Sequence, residues 1–219
     1  MAKILFNKYD KKQIAQLPSV AFGGKIHVVV SPHETKRAVD ILLKSAILGI
    51  DTETRPCFKK GRQNMVSLLQ VSTLDVCFLF RLNLTGMTAD IIRLLEDTTV
   101  PKVGLSLHDD ILSLHRKAPF TPGNFIDLQD HMRELGIEDM SLQKLYANVF
   151  GQKISKSQQL SNWEADILTE KQKLYAATDA WACIMLYKEY QRLLATHDFE
   201  LHVVEVPSPS AENGQDETP

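Results

Sequence analysis

Long apolar runs are missing from this sequence of 219 residues, and none approaches the roughly 18 residues needed to cross a bilayer. A membrane partner is therefore not expected. Cysteine is scarce: Cys57, Cys77 and Cys183 are far apart, odd in number and without C-x-x-C spacing. That argues against a disulfide framework and a cysteine zinc site, and for a reducing compartment, the cytoplasm or, in a eukaryotic cell, the nucleus. The seven histidines show no metal-ligand spacing. Residues 1–8 hold a short apolar patch but no long apolar segment before a small-residue cleavage site, so a signal peptide is not expected. Internal repeats are absent, and nothing foretells a particular protein partner.

A strong excess of positive charge is also lacking, since the net charge is −2. A protein that meets phosphates usually carries a basic surface. The distribution resolves part of this conflict. Residues 199–219 hold five acids (Glu200, Glu205, Glu212, Asp216 and Glu217) and no Lys or Arg, so the remainder carries 25 basic against 22 acidic side chains, a net of +3.

What is present suits a globular enzyme. Apolar residues make up 44% of the chain, enough for a sizeable core in one domain. A polar lead-in, 1–25, precedes a body at 26–198, and 199–219 has the composition of an acidic, disordered tail. The body opens with a strand at Ile26–Val30. Ser31-Pro32 with Glu34 then starts a helix to about Lys44, with Ala38, Val39, Ile41 and Leu42 expected on its buried face. Ala46–Ile50 is a continuous apolar run, expected to be a central strand covered on both faces. Met65–Ser72 and Val76–Phe80 form a hairpin, Met87–Glu96 a helix, and Lys102–Leu105 a strand leading to a helix near Leu107. A short edge strand at Phe125–Asp127 precedes helical residues 128–151, broken at Gly136 and recapped at Ser141. The longest helix begins at Thr169-Glu170 and runs to about Ala195. The order of elements is mixed α/β, a three-layer sandwich with antiparallel strands beside parallel ones.

Carboxylates stand at the expected strand and helix ends. Asp51 and Glu53 lie two apart after the most hydrophobic strand, so the period of two sends both to one side. Two facing acids repel unless a cation neutralises them or one holds a proton, and oxygen-rich clusters suit Mg²⁺ or Mn²⁺. The other D-x-E, Asp198-Phe199-Glu200, sits on a polar C-terminal stretch and is read as chance. Asp110 falls early in the helix after Lys102–Leu105, with Asp109 beside it. Tyr175 and Asp179 are four apart on the last helix and share a face, among small neighbours that allow close packing.

Asp51-Thr52-Glu53-Thr54, the run from Lys102 to Asp110, and Tyr175-Ala176-Ala177-Thr178-Asp179 resemble, in order, the three motifs of the DEDDy superfamily of 3′–5′ exonucleases, nearest its Werner-type and ribonuclease D-like branch. Val66–Val71, Ser141–Leu145 and Leu160–Trp163 resemble the same branch, and the similarity covers about residues 26–195. The resemblance implies a ribonuclease-H-like, DnaQ-type three-layer fold with a mixed five- or six-stranded sheet. Asp110 rather than Asp109 fits the second motif, because Leu114 stands at i+4 from it. Leu174 occupies the position where a histidine variant of the third motif would carry His, which favours the tyrosine form.

By this resemblance the enzyme releases 5′-mononucleotides from the free 3′ end of a nucleic acid, using two divalent ions roughly 3.5–4 Å apart. Asp51 would bridge both ions, Glu53 and Asp179 would help hold the nucleophile-side ion, and Asp110 would support the other. Tyr175 would orient the attacking water, since a phenol with an ordinary pKa near 10 is a poor base at pH 7. Thr54 and the region of Glu53 are implied in recognising the 3′-hydroxyl. Lys59, Lys60 and Arg62, or Lys153 and Lys156, are candidates to meet phosphates, and Phe58 to stack on a base or pack. Trp163 and Trp181 are expected in the core. DNA is the expected polymer on the Werner-type likeness; a ribonuclease D-like RNA trimming enzyme and a non-catalytic nucleic-acid-binding protein of the same fold are the alternatives.

Overall fold

A computed structural model describes residues 2–59, 61 and 63–204. Strands β1 (Lys3–Phe6), β2 (Lys25–Val29), β3 (Leu48–Thr54), β4 (Val66–Ser72), β5 (Val76–Arg81), β6 (Lys102–Gly104), β7 (Phe125–Asp127) and β8 (Phe199–His202) alternate with helices. These are α1 (Lys11–Ile14), α2 (Pro32–Leu42), α3 (Leu82–Thr85), α4 (Ala89–Glu96), α5 (Leu107–His115), α6 (Leu128–Glu134), α7 (Leu142–Phe150) and α8 (Glu170–Thr196). Six strands form one mixed sheet in the order β2-β5-β4-β3-β6-β7. Only β4 runs against its neighbours, as the three-residue β4–β5 connection requires.

Alternation along the strands makes the layers. Leu48 and Ile50 of β3, with Leu69 and Val71 of β4, pack with Val39 and Leu42 of α2 and Leu94 of α4 on one face. On the other, Leu68 and Leu79 meet Ala176 and Ala177 of α8, while α6 and α7 extend that layer around Val103 and Leu186. Burying these side chains removes apolar surface worth roughly 1.5–3 kcal/mol each. α2 is capped by Ser31, whose hydroxyl accepts from the Glu34 amide at 3.3 Å, with Pro32 at its first position. Its buried stripe is Thr35, Ala38, Val39 and Leu42, an i, i+3, i+4, i+7 series. Ile41, expected on that stripe, lies off it and is half exposed. α8 starts with a capping box between Thr169 and Gln172.

The chain ends depart from the expected division. Composition places residues 199–202 in a disordered tail and 1–25 in a lead-in, yet β8 pairs in parallel with β1 in a two-stranded sheet. Asn148 of α7 holds this sheet to the body, accepting from the Phe6 amide at 2.9 Å and donating to the Phe6 carbonyl at 2.6 Å, and Leu5 is fully buried. Two four-residue strands are too short to show alternation, and each finds its partner almost 200 residues away. The rest of the tail, 205–219, lies outside the described residues.

Candidate active site

Beside the acids the sheet loses one of its strands. β3 pairs with β6 only through Leu48 and Gly49, because β6 ends at Gly104. Beyond Ile50, that edge of β3 has no strand beside it, and the first turn of α5 takes the space. On the α8 face, Gly49 allows the helix to lie directly on the strand: a Cβ there would fall 1.9 Å from the Ala180 carbonyl oxygen. Ala176, Ala177 and Ala180 are fully buried at this contact. Small residues on both sides thus bring Asp179 over Asp51.

One carboxylate oxygen each from Asp51, Glu53 and Asp179 lies within 4.8 Å of the other two. Asp110 joins from α5 on the adjoining side, its carboxylate accepting from the Thr52 hydroxyl. Asp109 beside it is exposed. The three converging carboxylates and Tyr175 line a pocket of 310 Å³ together with Gln143, Ser155, Lys156 and Gln159.

Burial and mutual repulsion dominate the electrostatics. Asp51 is held well above the ordinary carboxyl range, first by burial and then by the charges of Asp110, Asp179 and Glu53. Glu53 is pushed up to about 9 by burial and by Asp179 and Asp110. Burial raises Asp179 to about 7, against the opposing pull of the Tyr175 hydroxyl and the Lys156 charge. Asp110 rises to about 6 through burial, partly offset by Thr52 and reinforced by Asp109 and Asp127. Burial and the neighbouring carboxylates drive the Tyr175 phenol well above its usual range, so it is a neutral donor at any physiological pH. Asp51, Glu53 and Asp179, which resist ionising together, form an all-oxygen donor set whose charge a hard divalent cation would neutralise; Asp110 lies beside that group, outside it and outside the pocket lining.

The other expected contacts are dispersed. Lys156 borders the pocket. Thr54 comes after a bulge at the end of β3, next to Glu53 but outside the pocket lining. Lys59 lines a separate shallow pocket with Arg55, Phe58 and Asn64, and Phe58 is 89% exposed. Lys60 and Arg62 lie outside the described residues. Lys153 donates to the Ala15 carbonyl at 2.6 Å, which occupies it away from the acids. Trp163 is fully buried in the core beneath α8, and Trp181, a residue of α8 itself, is partly buried, as expected.

Several neighbours of the acids carry no signal that assigns them a role from sequence. Thr52, between Asp51 and Glu53 on β3, borders the pocket and donates to Asp110. Cys183 is one turn beyond Asp179, lines the pocket and directs its thiol to the Asp179 carbonyl at 3.4 Å. Helical spacing from Asp179 is the signal that could find it. Asp127 accepts from the amides of Ser106, Leu107 and Gln129 at 3.0, 2.8 and 2.9 Å. Ser106 has a left-handed backbone, φ 61°, a conformation that costs a non-glycine residue roughly 1–2 kcal/mol. An aspartate directly before a helix is a capping signal, so Asp127's bond to Gln129 is legible in the sequence; its bonds across to α5 are not.

The 3′–5′ exonuclease family matches residues 26–195. Among curated relatives, the bifunctional 3′–5′ exonuclease/ATP-dependent helicase WRN of Mus musculus is 31% identical over 153 residues, covering 67% of this chain and 11% of that protein. A 3′–5′ exonuclease of Arabidopsis thaliana is 28% identical over 187 residues, covering 78% of this chain and 65% of that one. The chain thus spans less than two thirds of these relatives. The Nibbler EXO domain of Aedes aegypti superposes with a TM-score of 0.74 at 21% identity, covering 83% of this chain and 95% of that one. Among the described residues no helix is long and apolar enough to cross a membrane. With the family match extending over most of its length and through every element that carries the clustered acids, the chain belongs to the 3′–5′ exonuclease family.

Proposed function

We propose that this chain hydrolyses the terminal phosphodiester at the free 3′ end of a nucleic acid, releasing 5′-mononucleotides, with Asp51, Glu53, Asp110 and Asp179 as the metal-holding acids of a DEDDy site. The observation that carries the reading is the convergence of Asp51, Glu53 and Asp179 within 4.8 Å in a pocket that also contains Tyr175. The all-oxygen donor set fits two Mg²⁺ or Mn²⁺ ions. Held by these residues, such ions would make water nucleophilic at neutral pH and would offset charge on the leaving 3′ oxygen.

The chain's own residues supply the rest. Thr52 restrains Asp110, whose burial and separation from exposed Asp109 support it as the second-motif acid. Tyr175, kept neutral, can donate a hydrogen bond that orients the attacking water but cannot take its proton. Lys156 supplies a positive charge at the pocket wall for a phosphate. Thr54, Lys59 and Lys60 would contact the substrate through the end of β3 and the loop after it. DNA is the expected polymer on the Werner-type likeness of the motifs; the acids address only the phosphodiester, which RNA shares. The three free cysteines fit a reducing compartment, cytoplasmic or nuclear.

The test is degradation of matched 3′-recessed DNA and 3′-extended RNA in Mn²⁺, with product analysis. The expected result is stepwise shortening from the 3′ end to 5′-mononucleotides, abolished by Asp51→Ala. Unchanged degradation by Asp51→Ala would overturn the assignment. Faster loss of the RNA would move it to the ribonuclease D-like alternative.

A further inference from the structure

α5 has an unusual beginning. Its N-cap residue, Ser106, makes no capping bond to the helix and adopts a left-handed backbone without being glycine. The capping function comes instead from a different element. Asp127, at the junction of β7 and α6, accepts the Ser106 amide on one carboxylate oxygen at 3.0 Å and the Leu107 amide on the other at 2.8 Å. The first oxygen also accepts the Gln129 amide at 2.9 Å, so one side chain ties the starts of both helices together. Gln129 adds a second tie by donating to the Ser106 hydroxyl. A carboxylate is well suited to this position, because charge-assisted bonds to backbone amides are strong and the N-terminal end of a helix favours negative charge.

This clamp sits directly before the two candidate acids of the second motif. Asp109 and Asp110 are adjacent in the first turn of α5, and consecutive helical residues point about 100° apart. A helix starting one residue earlier would put Asp109 in the place of Asp110, and one starting a residue later would put Ile111 there. In the observed start, Asp110 meets Thr52 and Asp109 is exposed. We propose that Asp127 is a positioning residue for the reaction: by fixing the left-handed start of α5 it sets the helix phase that turns Asp110, rather than Asp109, toward Asp51 and Glu53. This rests on the reading of Asp110 as part of the metal site. Asp127 itself touches neither substrate nor metal in this role.

The experiment compares wild type, Asp127→Asn, the double variant Ser106→Gly/Asp127→Asn, and Asp110→Asn. Two quantities are measured: the Mn²⁺ dependence of the melting temperature, and the Mn²⁺ concentration giving half-maximal degradation of a 3′-labelled oligonucleotide. An asparagine offers one accepting oxygen in place of two, so Asp127→Asn is expected to weaken Mn²⁺ binding about 10- to 100-fold, with most of kcat restored at saturating Mn²⁺. Asp110→Asn should shift Mn²⁺ binding in the same direction. Glycine adopts the left-handed conformation unaided, so the double variant should recover part of the loss. It also supplies the comparison if Asp127→Asn alone does not fold. A lower melting temperature in EDTA with an unchanged Mn²⁺ dependence would make Asp127 merely structural and overturn the proposal. A wild-type protein that binds Mn²⁺ yet leaves the oligonucleotide intact would sink the exonuclease reading, while the thermal measurement would still decide the positioning role.

Discussion

Removing the Asp179 charge should make the metal-free protein more stable while, on the proposed function, destroying its activity. Asp179→Asn keeps the side-chain volume and an oxygen that can accept from Tyr175, but it cannot ionise. In the folded, metal-free protein the Asp179 carboxyl is raised from its ordinary 3.8 to about 7, chiefly by burial. That is roughly a thousandfold higher proton affinity than in the unfolded chain, worth about 4 kcal/mol at about 1.4 kcal/mol per tenfold. Proton counting gives the sign. Between about pH 4 and 7 the folded state holds a proton that the unfolded state has released, so stability falls as pH rises and the full loss is reached above pH 7. Asparagine removes this penalty and relieves Asp51 and Glu53, both of which are repelled by the Asp179 charge. It adds an amide donor that must find a partner, which offsets part of the gain. The expected net effect at pH 8 in EDTA is a melting temperature about 5–10 °C above wild type. At pH 5 the two proteins should differ much less. Calorimetry in EDTA at both pH values, then Mn²⁺ titration at pH 8, measures this directly. Wild type should recover stability with Mn²⁺, whereas the variant should respond weakly and degrade no oligonucleotide. A variant less stable than wild type at pH 8 in EDTA, or one with a full Mn²⁺ response, would refute the reasoning.

Three further outcomes are expected. Tyr175→Phe should lower kcat by about 10²-fold with little change in the Mn²⁺ response, since it removes only the hydroxyl proposed to orient water; an unchanged kcat would count against that role alone. Gly49→Ala places a methyl 1.9 Å from the Ala180 carbonyl, so α8 must move off β3. Thermal unfolding should show a loss of about 1–3 kcal/mol, and Mn²⁺ binding should weaken because Asp179 moves with the helix. Lys156→Ala should raise KM for an oligonucleotide and reduce the salt dependence of KM by about one phosphate contact, with the Mn²⁺ response retained; a KM equal to wild type would remove Lys156 from the substrate path.

The parts of this molecule legible in the sequence are those set by local pattern. The run ending at Ile50 marks a strand covered on both faces, and a three-residue connection dictates the β4–β5 hairpin. Ser31 and Ser141 announce their helices as caps and Thr169-Glu170 marks the start of the last one, and each of Ser31, Ser141 and Thr169 accepts a backbone amide at its helix start. Strand period pairs Asp51 with Glu53, and helical period pairs Tyr175 with Asp179. What stays hidden depends on long-range contact. The pairing of β1 with β8 joins the lead-in to the start of the expected tail through strands of four residues, and no pattern in either segment names the other. The clamp on α5 is likewise a contact between residues 20 positions apart, and only the fold shows that Asp127 caps a helix that precedes it. Ile41 departs from its expected burial because Thr35 supplies the fourth position of the buried stripe, leaving the isoleucine on the flank.

Metal held where the carboxylates converge is the central claim. A crystal soaked with Mn²⁺ and a nucleoside 5′-monophosphate, with the ions located by anomalous scattering, tests it most directly. The expected result is two Mn²⁺ ions about 3.5–4 Å apart, shared by Asp51 and held by Glu53, Asp179 and Asp110, with the nucleotide phosphate on them and Tyr175 facing it. Mn²⁺ bound elsewhere, or a nucleotide seated in the pocket with no ion on Asp51, would contradict it.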